Sequence, residues 1–507
     1  MFTAAGKTDT PAPMNYHKNV AHTFPRRIGF FFLQRDGNTD KLRNVFAVAK
    51  NSLSGVFKLQ IELISPARHE SHSGRINGRA FAFPSLALTL LAAMTPEKYE
   101  VHLSDENIEE VDFSRQPDLV GITVMTSAAV RAYEIADRFR ERGAKVILGG
   151  IHPTALPQEA AQHADAVVIG EAEGLWQELL RDVKNGGLRK FYQLATRPRL
   201  SEMPFPRREI LNGKKYFLKS TMQTTRGCPF DCSFCCVTKF FGRSFRTRPI
   251  SHVIKEVREL HSKFIGFLDD NIVGNIPYAK RLLVQLAKEK IFWIGQASIN
   301  VAQDRTLLRL LNRSGCKGLF IGFESICQDN LREVGKRQNQ TSRFSELVAR
   351  LHDYGISVEG AFVFGFDHDD RSVFARTLDF IRRVGIDTVQ FTTLTPFPGT
   401  PLFEKLHSEN RILTADWSKY DCSHAVFTPK KMTPEELEEG VSKAYREFYT
   451  LPSIAARILN MGFRMPLQGI PAAILNLSYR RRVHRPNARP DLSSAAMNAT
   501  ALELPPH

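Results

Sequence analysis

Three cysteines lie close together in the segment TTRGCPFDCSFC, where three residues separate Cys228 from Cys232 and two separate Cys232 from Cys235. Thiolates from one short loop can ligate three irons of a [4Fe-4S] cluster and leave the fourth iron without a protein ligand. That open iron can chelate the amino and carboxylate groups of S-adenosylmethionine, which brings the sulfonium next to a source of electrons. The spacing therefore predicts a cluster that takes part in chemistry.

Two other interpretations of these cysteines are weaker. Cys236 could supply a fourth ligand, but adjacent residues rarely direct both side chains at one small cluster because their Cβ atoms diverge. A structural zinc site usually takes two separated pairs of ligands, and no matching second pair follows Cys235. We expect the remaining cysteines, Cys316, Cys327 and Cys422, to be small buried residues.

The cysteines follow the first of a series of predicted strands. Between residues 216 and 400, short apolar runs alternate with amphipathic stretches, which is typical of parallel α/β architecture. The predicted strands are 218–224, 265–268, 292–297, 318–322, 358–364 and 388–394. Six such units fit a partial barrel, whose catalytic groups lie at the carboxyl ends of its strands.

A second α/β region precedes this barrel. Its predicted strands are 58–64, 100–103, 119–124, 145–148 and 166–169, with a helix predicted over 128–142. Ligands of such sheets bind outside the carboxyl ends of the strands. Thr126 and Ser127 follow one of these ends, and Gly149 and Gly150 follow the next.

The predicted organisation has six parts. They are an N-terminal extension of unassigned role (1–57), a Rossmann-like domain (58–185), a linker rich in Gly, Arg and Pro (186–215), a partial barrel (216–400), a mainly helical C-terminal region (401–478) and a disordered basic tail (479–507). The helical region begins with a capping box at Thr433. Residues 466–479 are apolar and precede arginines, so they predict a core-packing helix or a peripheral contact with a membrane surface.

The cysteine loop with Phe234 before its last cysteine, placed on a six-unit barrel, resembles the radical S-adenosylmethionine superfamily. The resemblance implies that Cys228, Cys232 and Cys235 ligate the cluster and that Phe234 contacts the bound cofactor. It also implies that polar residues at later strand ends bind S-adenosylmethionine. These residues are Asp269, Asp270 and Asn271 after the second strand, Ser298 after the third and Glu324 after the fourth.

The region 58–185 resembles the cobalamin-binding domain that precedes many such barrels, through DLVGITVMTSAA, VILGGIHPTALPQEA and VVIGEAEG. The resemblance implies small residues against the corrin and polar contacts from His152 and Glu171. The small residues are Thr126, Ser127, Gly149, Gly150 and Gly170. The Asp-x-His-x-x-Gly motif is absent, so no histidine of that motif would ligate cobalt. A plain nucleotide-binding domain is the alternative, but no Gly-x-Gly-x-x-Gly follows the first strand.

Together the two resemblances imply methylation of an unactivated carbon of a small or lipid-like molecule, with electrons from a donor such as flavodoxin or ferredoxin. Radical cyclisation or rearrangement of a tetrapyrrole-like or natural-product substrate is the open alternative, and no residue separates the two. An RNA-modifying methylthiotransferase would carry further cluster cysteines and an RNA-binding barrel, and neither is visible. A corrinoid sensor would not need the cysteine loop.

The 507 residues carry a formal net charge of +16, which could indicate nucleic acid or a membrane surface. We expect most of the basic residues to solvate the surface, and we expect no nucleic-acid partner. The first residues lack a basic segment followed by an apolar stretch, which predicts a cytoplasmic location.

Overall fold

The computed structural model describes residues 58–67, 83–464 and 469–484. These residues fall in one compact unit that begins at Lys58. The predicted N-terminal extension and the part of the predicted basic tail beyond residue 484 lie outside the described residues. Within the described ranges, no helix combines the length and apolar character needed to cross a membrane.

The first half of the unit is a parallel six-stranded sheet in the order β2-β1-β3-β4-β5-β6. Its strands are β1 (Gln60–Ser65), β2 (Glu100–Asp105), β3 (Leu119–Thr123), β4 (Lys145–Gly149), β5 (Ala166–Ile169) and β6 (Phe191–Gln193). The chain continues to β2 on one side of β1, whereas β3 lies on the other side. The gap between β1 and β3 is therefore the topological switch point, the place where ligands bind in such sheets.

Helices cover both faces of this sheet. They are α1 (Leu86–Met94), α2 (Ala129–Glu141), α3 (Ile151–Ala155), α4 (Pro157–Ala160) and α5 (Trp176–Asn185). One face packs through Leu63, Trp176 and Leu179, and the other packs through Ile122 and Phe139. The predicted helix over 128–142 is confirmed as α2, which buries the apolar stripe that its sequence carries.

The second half contains the predicted partial barrel, whose six strands are all parallel and lie in the order β7-β10-β11-β12-β13-β14. They are β7 (Thr221–Met222), β10 (Phe264–Phe267), β11 (Phe292–Ala297), β12 (Cys316–Glu324), β13 (Ser357–Phe364) and β14 (Thr388–Thr393). The helices of this half are α6 (Cys236–Phe241), α7 (Ile250–Glu259), α8 (Ile276–Glu289), α9 (Arg305–Arg313), α10 (Gln328–Glu333), α11 (Phe344–Asp353) and α12 (Val373–Val384). The predicted fold class is confirmed.

A short antiparallel pair, β8 (Thr225–Arg226) and β9 (Arg246–Thr247), was not predicted. It joins the two ends of the segment that carries the cysteines. Strands of two residues are too short to show an alternating pattern, so the sequence gives no signal for them. The pair matters for the site because it closes the base of the cysteine loop.

Helices α13 (Pro401–Ser408), α14 (Pro434–Phe448), α15 (Leu451–Arg464) and α16 (Gly469–Val483) form the C-terminal region. The predicted capping box is present, with Thr433 and Glu436 bonding reciprocally. Helix α16 packs on the barrel, where the Tyr479 hydroxyl donates to Glu359 at 3.0 Å. The predicted tail therefore starts too early, because the helix continues to Val483.

The predicted linker also differs from the structure. Strand β6 lies inside residues 186–215 and pairs with β5, with Tyr192 opposite Val168. Tyr192 is buried and donates to Asp182, so this segment completes the sheet before the chain crosses to the barrel. The Gly, Arg and Pro residues of this segment are typical of a linker, and for that reason the three-residue strand β6 was not predicted.

Candidate functional site

The cysteine loop begins at the end of β8 with a backbone turn that only glycine tolerates. Gly227 has φ +87°, and a Cβ at this position would clash with the Ser244 carbonyl oxygen. Its amide donates to Asp270 Oδ2 at 3.1 Å. Farther along, the Cys235 amide donates to the Cys232 carbonyl at 3.0 Å, and helix α6 follows directly. The fold thus places Cys228, Cys232 and Cys235 on one tight loop, as predicted.

The three thiols lie close enough to affect one another. Burial raises the pKa of Cys232 to about 11 and that of Cys235 well above its usual value, and neighbouring thiols add to both. Since a thiolate is the form that ligates iron, cluster binding must displace these protons. In the described ranges, no group of three His, Cys, Asp or Glu side chains is arranged to hold a metal ion. Three thiols on one loop nevertheless match the number of ligands that a [4Fe-4S] cluster with one open iron requires.

A buried ion pair lies beside the cysteine loop. Lys336 pairs with Glu324, and its ammonium group also interacts with Cys232. Glu324 has φ +65°, a backbone conformation that a residue with a side chain holds only under constraint. Gly322 leaves room for the pair, because a Cβ there would clash with Glu324 Oε1 and lie 2.8 Å from Lys336 Nζ. Glu324, predicted to contact S-adenosylmethionine, is thus held at the cluster loop by Lys336.

Gly322→Ala is expected to lower the free energy of unfolding by about 2 kcal/mol, because the added methyl group overpacks a buried ion pair. It should also reduce the iron bound per chain after reconstitution. Gly187→Ala is the matched control, since a Cβ there meets nothing within 4 Å. Urea unfolding and iron analysis of both variants check the prediction. Equal stability of the two would contradict it.

Two aspartates follow β10, and they differ in their surroundings. Asp269 is fully buried, and it accepts from the Thr224 and Thr225 hydroxyls at 2.8 and 2.6 Å and also from both backbone amides. Its carboxylate thus holds the start of the cysteine segment, and its predicted contact with S-adenosylmethionine stays a prediction. Asp270 is partly exposed, and burial raises its pKa to about 6.

Asn271 and Ser298 form a pair next to the cluster loop. The Asn271 amide donates to Ser298 Oγ at 3.1 Å, the Ser298 amide donates back at 3.3 Å, and Asn271 also bonds the Cys228 thiol. Phe234 contacts Phe366 edge to face, with ring centres 6.4 Å apart. The structure therefore gathers Asp270, Asn271 and Ser298 beside the cysteine loop, and their predicted contact with S-adenosylmethionine stays a prediction.

The small residues of the first sheet lie at the carboxyl ends of β3, β4 and β5. Gly150 has φ +106°, and a Cβ there would lie 2.8 Å from the Val124 amide nitrogen, so glycine lets the loops after β3 and β4 touch. Gly149 ends β4, and Gly170 has φ +83° with open space around its Cβ position. Thr126 and Ser127 are buried in a short turn after β3. Together they form a small-residue edge, which is the kind of lining that a flat, wide cofactor would need.

His152 lies next to this edge, directly after Gly150 and Ile151. Its side chain is fully buried, and Nε2 lies 3.1 Å from Glu159 Oε1. Tyr133 and Trp417 donate to the same carboxylate at 2.9 and 3.0 Å. His152 thus joins the first sheet to the C-terminal region through Glu159 and Trp417, and its predicted contact with the cofactor stays a prediction.

Glu171, which was predicted to contact the cofactor, is buried and accepts from Arg226 and Arg246 at 2.6 Å each. Both arginines belong to the short pair β8 and β9 that closes the cysteine loop, so Glu171 bonds the barrel. Its predicted contact with the cofactor stays a prediction. Sequence reasoning missed these arginines because their partner lies more than 50 residues away.

Met125 is a further residue that sequence reasoning missed. It follows β3 at the switch point, and 54% of its surface is exposed. A flat cofactor bound at this edge would meet this exposed apolar side chain among the small residues. The signal in the sequence was an apolar residue directly after a predicted strand end.

Two families match the chain. The family described as "B12 binding domain" matches residues 76–180, and the "Radical SAM superfamily" matches residues 222–381. The matched residues contain, respectively, the small-residue edge of the first sheet and the cysteine loop with the first five barrel strands. The matches thus fall on the two sites described above.

Two curated relatives and one solved structure are similar to this chain over most of their own length. The bacteriochlorophyllide d C-12(1)-methyltransferase of Chlorobaculum tepidum is 36% identical over 76% of this chain and 86% of its own. The C-8(2)-methyltransferase of the same organism is 33% identical over 74% and 87%. The radical S-adenosylmethionine methyltransferase TsrM of Kitasatospora setae, 18% identical, has the same fold with a TM-score of 0.59 over 76% of this chain and 88% of its own.

Proposed function

The chain belongs to the cobalamin-binding radical S-adenosylmethionine enzymes, and we propose that it methylates an unactivated carbon of a tetrapyrrole-like substrate. Its cofactors are those of the family: cobalamin, a [4Fe-4S] cluster and S-adenosylmethionine. The observation that carries the substrate proposal is the likeness to two bacteriochlorophyllide d methyltransferases, which extends through both cofactor regions.

When bound, the cluster with S-adenosylmethionine supplies a carbon radical that removes a hydrogen atom, and cobalamin supplies the methyl group. The residues of the chain would hold and position these cofactors. Cys228, Cys232 and Cys235 would hold the cluster, and the Asn271 and Ser298 pair would fix the edge of its loop. The small residues after β3, β4 and β5 would admit the corrin.

Two partners belong to this proposal. Radical formation needs single electrons, so we propose a low-potential donor of the flavodoxin or ferredoxin class. We also propose that the C-terminal region touches a membrane surface, where an apolar substrate would partition. Ile474 and Leu477 of α16 support this contact because 59% and 42% of their surfaces are exposed.

The test is anaerobic incubation of the reconstituted enzyme with a chlorophyllide-type substrate and S-adenosylmethionine that carries a deuterated methyl group. We expect the label in the tetrapyrrole, with a hopanoid-type lipid left unchanged. A tetrapyrrole that loses hydrogen without gaining label would support cyclisation instead. Label in the lipid alone would overturn the proposed substrate class.

A further inference from the structure

Three arginines converge on one buried carboxylate between the two cofactor regions. Glu171 Oε1 accepts from Arg226 Nη1 at 2.6 Å, and Oε2 accepts from Arg246 Nη2 at 2.6 Å and lies 3.8 Å from Arg197 Nη1. Arg226 Nη2 also donates to Glu173 at 2.5 Å. We call these five residues the interdomain ion network.

The arginines of the network bracket the cysteine loop. Arg226 directly precedes Gly227, and Arg246 stands opposite Arg226 in the β8 and β9 pair. Arg197 donates to the Phe240 carbonyl of helix α6 at 2.9 Å. The beginning, the end and the helix of the cysteine loop are therefore all tied to the interdomain ion network.

The glutamates of the network belong to the other cofactor region. Glu171 directly follows Gly170 at the carboxyl end of β5, so one short loop lies at the small-residue edge and at the cysteine loop. The two regions also touch at a second place. A Cβ on Gly399 of the barrel would lie 3.5 Å from Ala155 of α3 and 3.2 Å from Lys239 of α6.

The interdomain ion network is suited to fix the position of the loop after β5 relative to the cysteine loop. The side chains of Glu171 and Arg226 are only 2% and 11% exposed, and the two terminal nitrogens of Arg226, Nη1 and Nη2, each meet a different carboxylate. Charge-assisted bonds from a planar guanidinium are short and directional. A buried ion pair adds little net stability because desolvation offsets the attraction. Its main consequence here is a fixed geometry between the two loops.

We propose that Glu171 and Glu173 are positioning residues that set the cluster loop at a fixed distance from the cobalamin edge and thereby couple radical formation to methyl transfer. The coupling rests on the proposed function, whereas the positioning can be measured without any substrate. Misplacing reacting groups by about 1 Å can cost on the order of 100-fold in rate, so the fixed distance would matter for the reaction.

The test uses the Glu171→Gln/Glu173→Gln variant. The single variant Glu173→Gln is a milder change, because Arg226 and Arg246 keep their bonds to Glu171. Glu178→Gln is the matched control, because Glu178 also pairs with an arginine but is 41% exposed. Each protein is loaded with both cofactors, and iron and cobalt are counted. Pulsed electron paramagnetic resonance then measures the distance between cob(II)alamin and the reduced cluster in the absence of substrate.

We expect the double variant to retain both cofactors, to show a broader distribution of distances than wild type, and to release about tenfold more 5′-deoxyadenosine per methylated product. Glu178→Gln should match wild type. An unchanged distance distribution in the double variant would overturn the positioning role. If wild type gives no methylated product, the proposed function fails while the distance measurement still decides the inference. If the double variant loses a cofactor, Glu173→Gln supplies the distance comparison.

Discussion

Cys235→Ala should abolish both the iron absorbance of the reconstituted protein and all cleavage of S-adenosylmethionine. The substitution removes one of three thiolates that a single loop can offer, and two cannot hold a cubane cluster that keeps an open iron. We expect iron per chain to fall to background and 5′-deoxyadenosine to fall below detection. Cobalamin binding should be unchanged, since its proposed site lies on the first sheet.

The adjacent Cys236 provides the matched control for this experiment. It is the first residue of α6, and burial raises its pKa to about 12. We expect Cys236→Ala to keep its iron and most of its activity, because the cluster needs only the other three thiols. Full loss of iron in Cys236→Ala, with retention in Cys235→Ala, would contradict the assigned ligands.

Asp269→Ala is expected to give the largest loss of stability, about 4 kcal/mol in free energy of unfolding. The carboxylate accepts four hydrogen bonds from Thr224 and Thr225, all buried, and each donor left without a partner costs about 1 to 3 kcal/mol. Urea unfolding of the cofactor-free protein measures the change. Asp270→Ala, which loses the 3.1 Å bond from Gly227, should cost about 1 kcal/mol.

This comparison separates two roles for Asp269. A contact with S-adenosylmethionine would make the Asp269→Ala protein fold normally and bind the cofactor weakly. A structural role makes it unfold in less urea even with no cofactor present. Normal stability of the Asp269→Ala protein would support the predicted contact of Asp269 with S-adenosylmethionine.

Strands that contain an apolar run were predictable from the sequence because their pattern is local. Strands β5 (AVVI) and β11 (FWIGQA) have the predicted bounds, and each contains at least three consecutive apolar residues. The placement of the three cysteines on one loop was also predictable, because they lie within eight residues that follow a predicted strand. Strands β6, β8 and β9 were missed because two or three residues carry no periodicity.

The partners of three predicted contact residues could not be read from the sequence. Asp269, His152 and Glu171 were expected to contact cofactors from the family resemblance and because each follows a strand, which is where ligands bind. The structure pairs each with a partner that no local pattern reveals: the threonines that follow β7, the Glu159 carboxylate that Trp417 also contacts, and the arginines of the barrel. Polar residues at strand ends can bind either a ligand or another part of the chain, and only the three-dimensional contacts distinguish the two.

The most direct test of the account is a count of the products formed from S-adenosylmethionine by the enzyme loaded with cluster, cobalamin, a strong reductant and a chlorophyllide-type substrate. The account predicts equal amounts of 5′-deoxyadenosine, S-adenosylhomocysteine and methylated tetrapyrrole, because one molecule is cleaved and another donates its methyl group in each turnover. Formation of 5′-deoxyadenosine without S-adenosylhomocysteine would contradict methyl transfer, and the absence of both from a fully loaded enzyme would contradict the radical chemistry itself.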